Sequence, residues 1–211
     1  MSANPNLSRG CVVHAGVRLD AARRVAVLVH GRDQDEQLML DVAARLSLDD
    51  VAYLLPIAAQ RTWYPGRYFD PLAENEPHLG WALDAIEHTI GLATQAGLQE
   101  RQIVLGGFSQ GACLVAHLVA WRPRPLAGLA VLTGVLLGAP EQRLTPHDLL
   151  GLTVYASCSV HDAWIPIEDA RATADAFVAA GADVDFEELD DREHLVSDRA
   201  VAGLRRLLTV R

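Results

Sequence analysis

The sequence predicts an α/β fold in which a largely parallel central sheet carries helices on both faces, within one domain spanning residues 1–211. Three observations lead there. Short apolar, β-branched runs alternate with amphipathic stretches along the whole chain. No repeat, low-complexity tract or long linker divides it. Its 211 residues, 50% of them hydrophobic, suffice for one substantial core.

The elements follow in order. "CVVHA" (11–15) and "VAVLVH" (25–30) read as strands. "DEQLMLDVAARL" (35–46) has its apolar residues at helical spacing, and "VAYLLP" (51–56) returns to strand. Residues 60–77 hold three prolines and four aromatics and read mostly as loop. A helix is expected over 78–97, ending at Gly97, and then a strand in "QIVLGG". Next come a helix (109–121), strands at 126–134 and 152–159, a helix (166–181), a strand (182–189) and a last helix (196–210). In sheets of this type the ligand site forms at the carboxyl ends of the strands, so the residues just after each strand are the candidates.

Composition removes several functions. The net charge of −9 argues against nucleic acid or an anionic membrane surface as the partner, because both are bound through clustered positive charge. All 18 basic residues are arginine, which excludes a Walker-type phosphate loop, a Schiff-base cofactor and a lysine general base. Cys11, Cys113 and Cys158 are scattered and odd in number, as expected of thiols in a reducing compartment. The N-terminus shows no apolar signal core and no segment matches a membrane span. The expectation is a cytoplasmic protein with no stable membrane insertion.

The stretch "IVLGGFSQGACLVA" (103–116) carries the chemistry. Strand, Gly-x-Ser-x-Gly, helix is the arrangement that holds a nucleophilic serine on a sharp turn. With seven serines and 16 glycines in the chain, about 0.04 such patterns are expected by chance, so Ser109 is read as catalytic. A serine needs a base and an orienting acid, and in this arrangement they follow it in that chain order, acid then histidine. "VHDAWIP" after the strand at 152–159 offers Asp162. "DDREHLVSD" after the strand at 182–189 offers His194, the only histidine beyond Asp162. The oxyanion of the reaction would be held by two backbone N–H groups. Gln110 supplies one at the positive end of its helix, and Arg32, in the loop that closes "VLVHGR", supplies the other.

These segments, "VLVHGR", "GFSQGACLVA", "LTGVLLG", "SVHDAWIP" and "REHLV", occur in an order that resembles the phospholipase/carboxylesterase family of α/β-hydrolases, which includes the acyl-protein thioesterases. The resemblance runs from about residue 25 to 208. It implies the α/β-hydrolase fold without a large lid domain, a Ser109–Asp162–His194 triad, an oxyanion hole from Arg32 and Gln110, and hydrolysis of carboxylic esters or thioesters with no cofactor. Two positions depart from the family pattern: Asp33 and Glu193 stand where glycine is common.

Pocket residues are expected from two loops. Trp63, Tyr64 and Phe69 offer an apolar wall, with Arg61 or Arg67 able to meet a substrate carboxylate, and Trp164 and Ile165 follow the acid directly. Cys113 reads as core and His30 as a loop anchor, and no ligand cluster points to a metal. The leading expectation is a serine hydrolase of small esters or thioesters, with a small-molecule substrate. A lidless site could leave an apolar rim for a homodimer to cover. The alternatives are a lactone, dienelactone-type or C–C bond hydrolase acting on an anionic small molecule, and a catalytically silent binding module of the same fold.

Overall fold

A computed structural model of the chain describes residues 3–8 and 10–210; Met1, Ser2, Arg9 and Arg211 lie outside the described residues. Seven strands form one sheet: β1 (Val12–Gly16), β2 (Arg24–Val29), β3 (Val51–Pro56), β4 (Ile103–Phe108), β5 (Gly128–Leu132), β6 (Thr153–Ser159) and β7 (Asp183–Leu189). Their spatial order is β1-β3-β2-β4-β5-β6-β7. Only β1 runs antiparallel, against β3, and every other pair is parallel.

The helices are α1 (Glu36–Leu46), α2 (His78–Gln95), α3 (Gln110–Trp121), α4 (Ile167–Ala179) and α5 (Asp198–Thr209). Local chemistry starts two of them: the Asp35 carboxylate accepts from the Gln37 N–H and the Ser197 hydroxyl from the Ala200 N–H. Strand alternation decides which face each residue serves. Val25, Val27 and Val29 belong to the core shared with α2, α3 and α4. Ala26 and Leu28 point the other way, into the core shared with α1 and α5. Each fully buried aliphatic side chain contributes about 1.5–3 kcal/mol, and α3 is buried from Gln110 to Ala120.

The expected elements are present, with β5 shorter than the 126–134 read from sequence and α2 ending two residues early. Residues 59–77 form only two short 3-10 turns, Ala59–Arg61 and Leu72–Asn75. The segments leaving β2, β4, β6 and β7 hold Arg32, Ser109, Asp162 and His194 respectively, all at the carboxyl edge of the sheet.

Candidate active site

Ser109 joins β4 to α3 at φ 54°, ψ −120°, a backbone state that residues with a Cβ rarely adopt. The turn is held by the Ser109 N–H donating to the Leu132 carbonyl (3.0 Å) and the Cys113 N–H donating to the Ser109 carbonyl (3.0 Å). Its glycines are needed for space. A Cβ on Gly107 would come within 2.4 Å of the Gly111 carbonyl oxygen, and one on Gly111 within 2.3 Å of the Val29 carbonyl oxygen. The bend therefore closes only where α3 packs directly on backbone.

His194 lies between serine and acid. Its Nε2 is 2.8 Å from Ser109 Oγ and its Nδ1 is 2.7 Å from Asp162 Oδ2. The other carboxylate oxygen, Oδ1, accepts from the N–H groups of Trp164 and Ile165, each at 2.9 Å. The Asp162 side chain is 1% exposed, whereas that of His194 is 21% exposed. Burial pushes the Asp162 carboxyl up, but the hydrogen bonds from His194, Ile165 and Trp164 outweigh it and hold the group below the usual carboxylate range. The carboxylate is thus ionised and accepts from Nδ1–H, leaving Nε2 as the lone-pair side toward Ser109. The acid and base loops are tied together by Ser159, whose hydroxyl donates to the Asp191 carbonyl and accepts from the His161 N–H. The His194 ring also leans on Phe108, with centroids 4.9 Å apart.

Arg32 follows the buried end of β2. There His30 accepts the Ala58 N–H at Nε2 and so donates from Nδ1 to the Gly31 carbonyl, anchoring the loop. Among the described residues neither the Arg32 nor the Gln110 backbone N–H has an acceptor in the protein.

A cavity of about 410 Å³ opens over Ser109 and His194. Of the residues named from sequence, Tyr64, Trp164, Ile165 and Arg67 line it. Trp63 does not, which corrects the expectation of an aromatic wall from that residue. It is 1% exposed, its indole N–H donates to the His30 carbonyl (2.8 Å) and its ring packs on the His30 imidazole. A buried acceptor for the indole N–H draws the ring inside the fold. Phe69 also lies outside the lining, edge-on to Tyr68 and 49% exposed, and Arg61 turns away to Asp35 at 3.4 Å.

Other wall residues escape sequence reasoning. Tyr68 lines the cavity while its hydroxyl donates to Asp169 Oδ2 (2.7 Å). Cys113 lines it too; burial pushes this thiol up to about 11, so it stays protonated near neutrality. The side chains of Gln110 and Arg32 act behind the wall. Gln110 accepts from the Trp63 N–H (3.0 Å) and donates to the Tyr64 carbonyl (2.8 Å), and Arg32 donates to the carbonyls of Tyr64, Pro65 and Gly66. The one available signal is a glutamine in the first turn of a helix whose only other polar side chain is His117. Among the described residues no set of three His, Cys, Asp or Glu side chains gathers as metal ligands.

Comparison with known proteins fits this geometry. Residues 17–210 match the family model described as Phospholipase/Carboxylesterase. The chain belongs to the phospholipase/carboxylesterase family. A relative is the acyl-protein thioesterase 1 of Cryptococcus neoformans, 29% identical over 131 residues, a match covering 54% of this chain and 55% of that protein. The chain thus spans about half the length of the relatives of this kind that it matches. A solved phospholipase/carboxylesterase from Dyadobacter fermentans is 25% identical, with a TM-score of 0.86 over 93% of this chain and 95% of its own. The Bacillus cereus carboxylesterase, 20% identical with a TM-score of 0.73 over 93% and 92% of the two chains, shares the fold.

Proposed function

We propose that this member of the phospholipase/carboxylesterase family is a serine hydrolase cleaving small carboxylic esters or thioesters, with Ser109, His194 and Asp162 as its catalytic residues. The reading rests on one arrangement, the unbroken hydrogen-bonded line from Ser109 Oγ through His194 to a buried Asp162 at the mouth of a cavity. Ser109 Oγ attacks the acyl carbon as His194 Nε2 takes its proton. Asp162 stabilises the imidazolium and keeps its orientation. The Arg32 and Gln110 N–H groups, which have no acceptor among the described residues, donate to the tetrahedral oxyanion. Collapse breaks the bond to the leaving alcohol or thiol, which takes the proton from His194. Water, deprotonated by His194, then releases the acid and restores Ser109.

The test is hydrolysis of short 4-nitrophenyl esters by the wild type and Ser109→Ala. We expect a fall in kcat of about 10⁴-fold or more, together with labelling of the wild type, but not of the variant, by a fluorophosphonate. Equal activity of the two proteins would overturn the assignment.

The remaining parts of the reading are a single domain over the whole chain and a cytoplasmic setting, supported by cysteines that stand unpaired. No helix among the described residues is long and apolar enough to cross a membrane. Trp164, 56% exposed, puts apolar surface at the cavity rim. A homodimer would cover such a rim, and sedimentation of the purified chain would reveal it.

A further inference from the structure

Arg67 lines the same cavity as Ser109 and His194. Its guanidinium lies over the Trp164 ring, with Cζ 5.2 Å from the ring centroid. Most arginines of this acidic chain are ion-paired, as Arg61 is with Asp35, Arg143 with Asp169 and Arg171 with Glu188. Arg67 has no carboxylate within 4.0 Å among the described residues. The acid three residues on, Asp70, accepts instead from the Arg67 backbone N–H at 2.6 Å. The other cation of the cavity, Arg32, donates to three neutral carbonyls. Arg67 thus brings a guanidinium free of any carboxylate to a cavity where Asp33 is the only acid among the described lining residues. The Asp33 carboxylate accepts from the Thr62 hydroxyl at 3.3 Å.

A guanidinium held over an indole keeps N–H groups free to hold a planar anion, with less rotamer freedom left to lose on binding. We propose that Arg67, held over Trp164, is an anion subsite, and that the preferred substrates are small esters or thioesters bearing a carboxylate. This deepens the serine-hydrolase reading and rests on it. The cavity volume of about 410 Å³, shared by Arg67 and Ser109, confines the substrate to a compact molecule.

The test compares three substrates: 4-nitrophenyl butyrate, mono-4-nitrophenyl succinate with the charge on the acyl chain, and 4-(butyryloxy)benzoate with the charge on the leaving group. At low ionic strength the wild type is expected to favour one of the charged esters by about fivefold or more in kcat/KM, carried mainly in KM. The favoured ester tells which side of the scissile bond faces Arg67. Arg67→Met, which keeps an apolar stem against Trp164, should bring the charged-to-neutral ratio to about one, and Arg67→Glu should invert it. Asp33→Asn should raise the ratio, whereas Arg205→Met, an exposed change on α5, should not move it.

A wild type that treats all three esters alike, or a preference that survives Arg67→Met, overturns the anion subsite. Labelling by an uncharged fluorophosphonate separates the two readings. An unlabelled, inactive wild type overturns the hydrolase reading itself, whereas a labelled wild type with no charge preference overturns only the subsite.

Discussion

A methyl group at Gly111 would sit 2.3 Å from the Val29 carbonyl oxygen and 2.5 Å from that of His30. Both contacts are backbone, so neither can swing aside, and Gly111→Ala must push α3 off β2. We expect a loss of about 2–3 kcal/mol in urea unfolding, with ester hydrolysis falling further because Ser109 leaves its position under His194 Nε2. Retention of wild-type stability would contradict the packing described. Asp33 illustrates another single-residue effect. It stands where the family commonly has glycine, and its φ is 58°, the left-handed region that glycine enters freely and aspartate tolerates. The departure seen in the sequence thus leaves the backbone path intact while adding a carboxylate to the cavity.

At the scale of elements, the 59–77 segment makes most of one cavity wall without regular structure of its own. Side-chain clamps hold it, among them Gln110 on Trp63 and Tyr64, Arg32 on the carbonyls of 64–66, and Tyr68 on Asp169, which also meets Arg143 at 3.3 Å. Gln110→Ala removes one clamp but keeps the backbone N–H proposed for the oxyanion. Leaving the buried Trp63 N–H without its acceptor costs about 1–3 kcal/mol. We expect KM for short esters to rise several-fold with a smaller change in kcat, and amide exchange over 60–70 to quicken. An unchanged KM would mean that the wall holds its shape without Gln110.

For the whole molecule, buried groups contribute to the response to acid, and one of them lies on α3. His117 is 5% exposed, its Nδ1 has no partner among the described residues, and burial pushes its imidazole down from 6.5 to about 4. Between those values the unfolded chain binds a proton that the folded chain refuses, so this contribution to stability is present above pH 6.5 and lost as pH falls toward 4. The loss is on the order of 3 kcal/mol. His30, lowered by its burial, acts in the same direction. Asp162, held below the usual carboxylate range despite burial, adds stability that is lost only at lower pH, as it takes up its proton. Urea midpoints at pH 7 and pH 4.5 should converge in His117→Leu relative to the wild type. An equal drop in both proteins would rule out this source.

The βα alternation, the nucleophile turn and the order serine, acid, histidine were all legible in the sequence because each depends on short-range properties. A period of two or 3.6, a glycine that a bend requires and a polar residue just after a strand are visible within a dozen residues. That local grammar determined the fold class and the chemistry proposed for Ser109, Asp162 and His194. It could not say which aromatic of 63–69 faces the cavity, because that loop has no period to fold by. Only the tertiary structure decided that Trp63 turns inward to the His30 carbonyl, that Tyr68 reaches Asp169, and that Arg67 lies over Trp164 with no carboxylate within 4.0 Å among the described residues. Those partners lie 33, 101 and 97 residues apart in the chain. They meet through the packing of separate elements, and no local pattern records such a meeting.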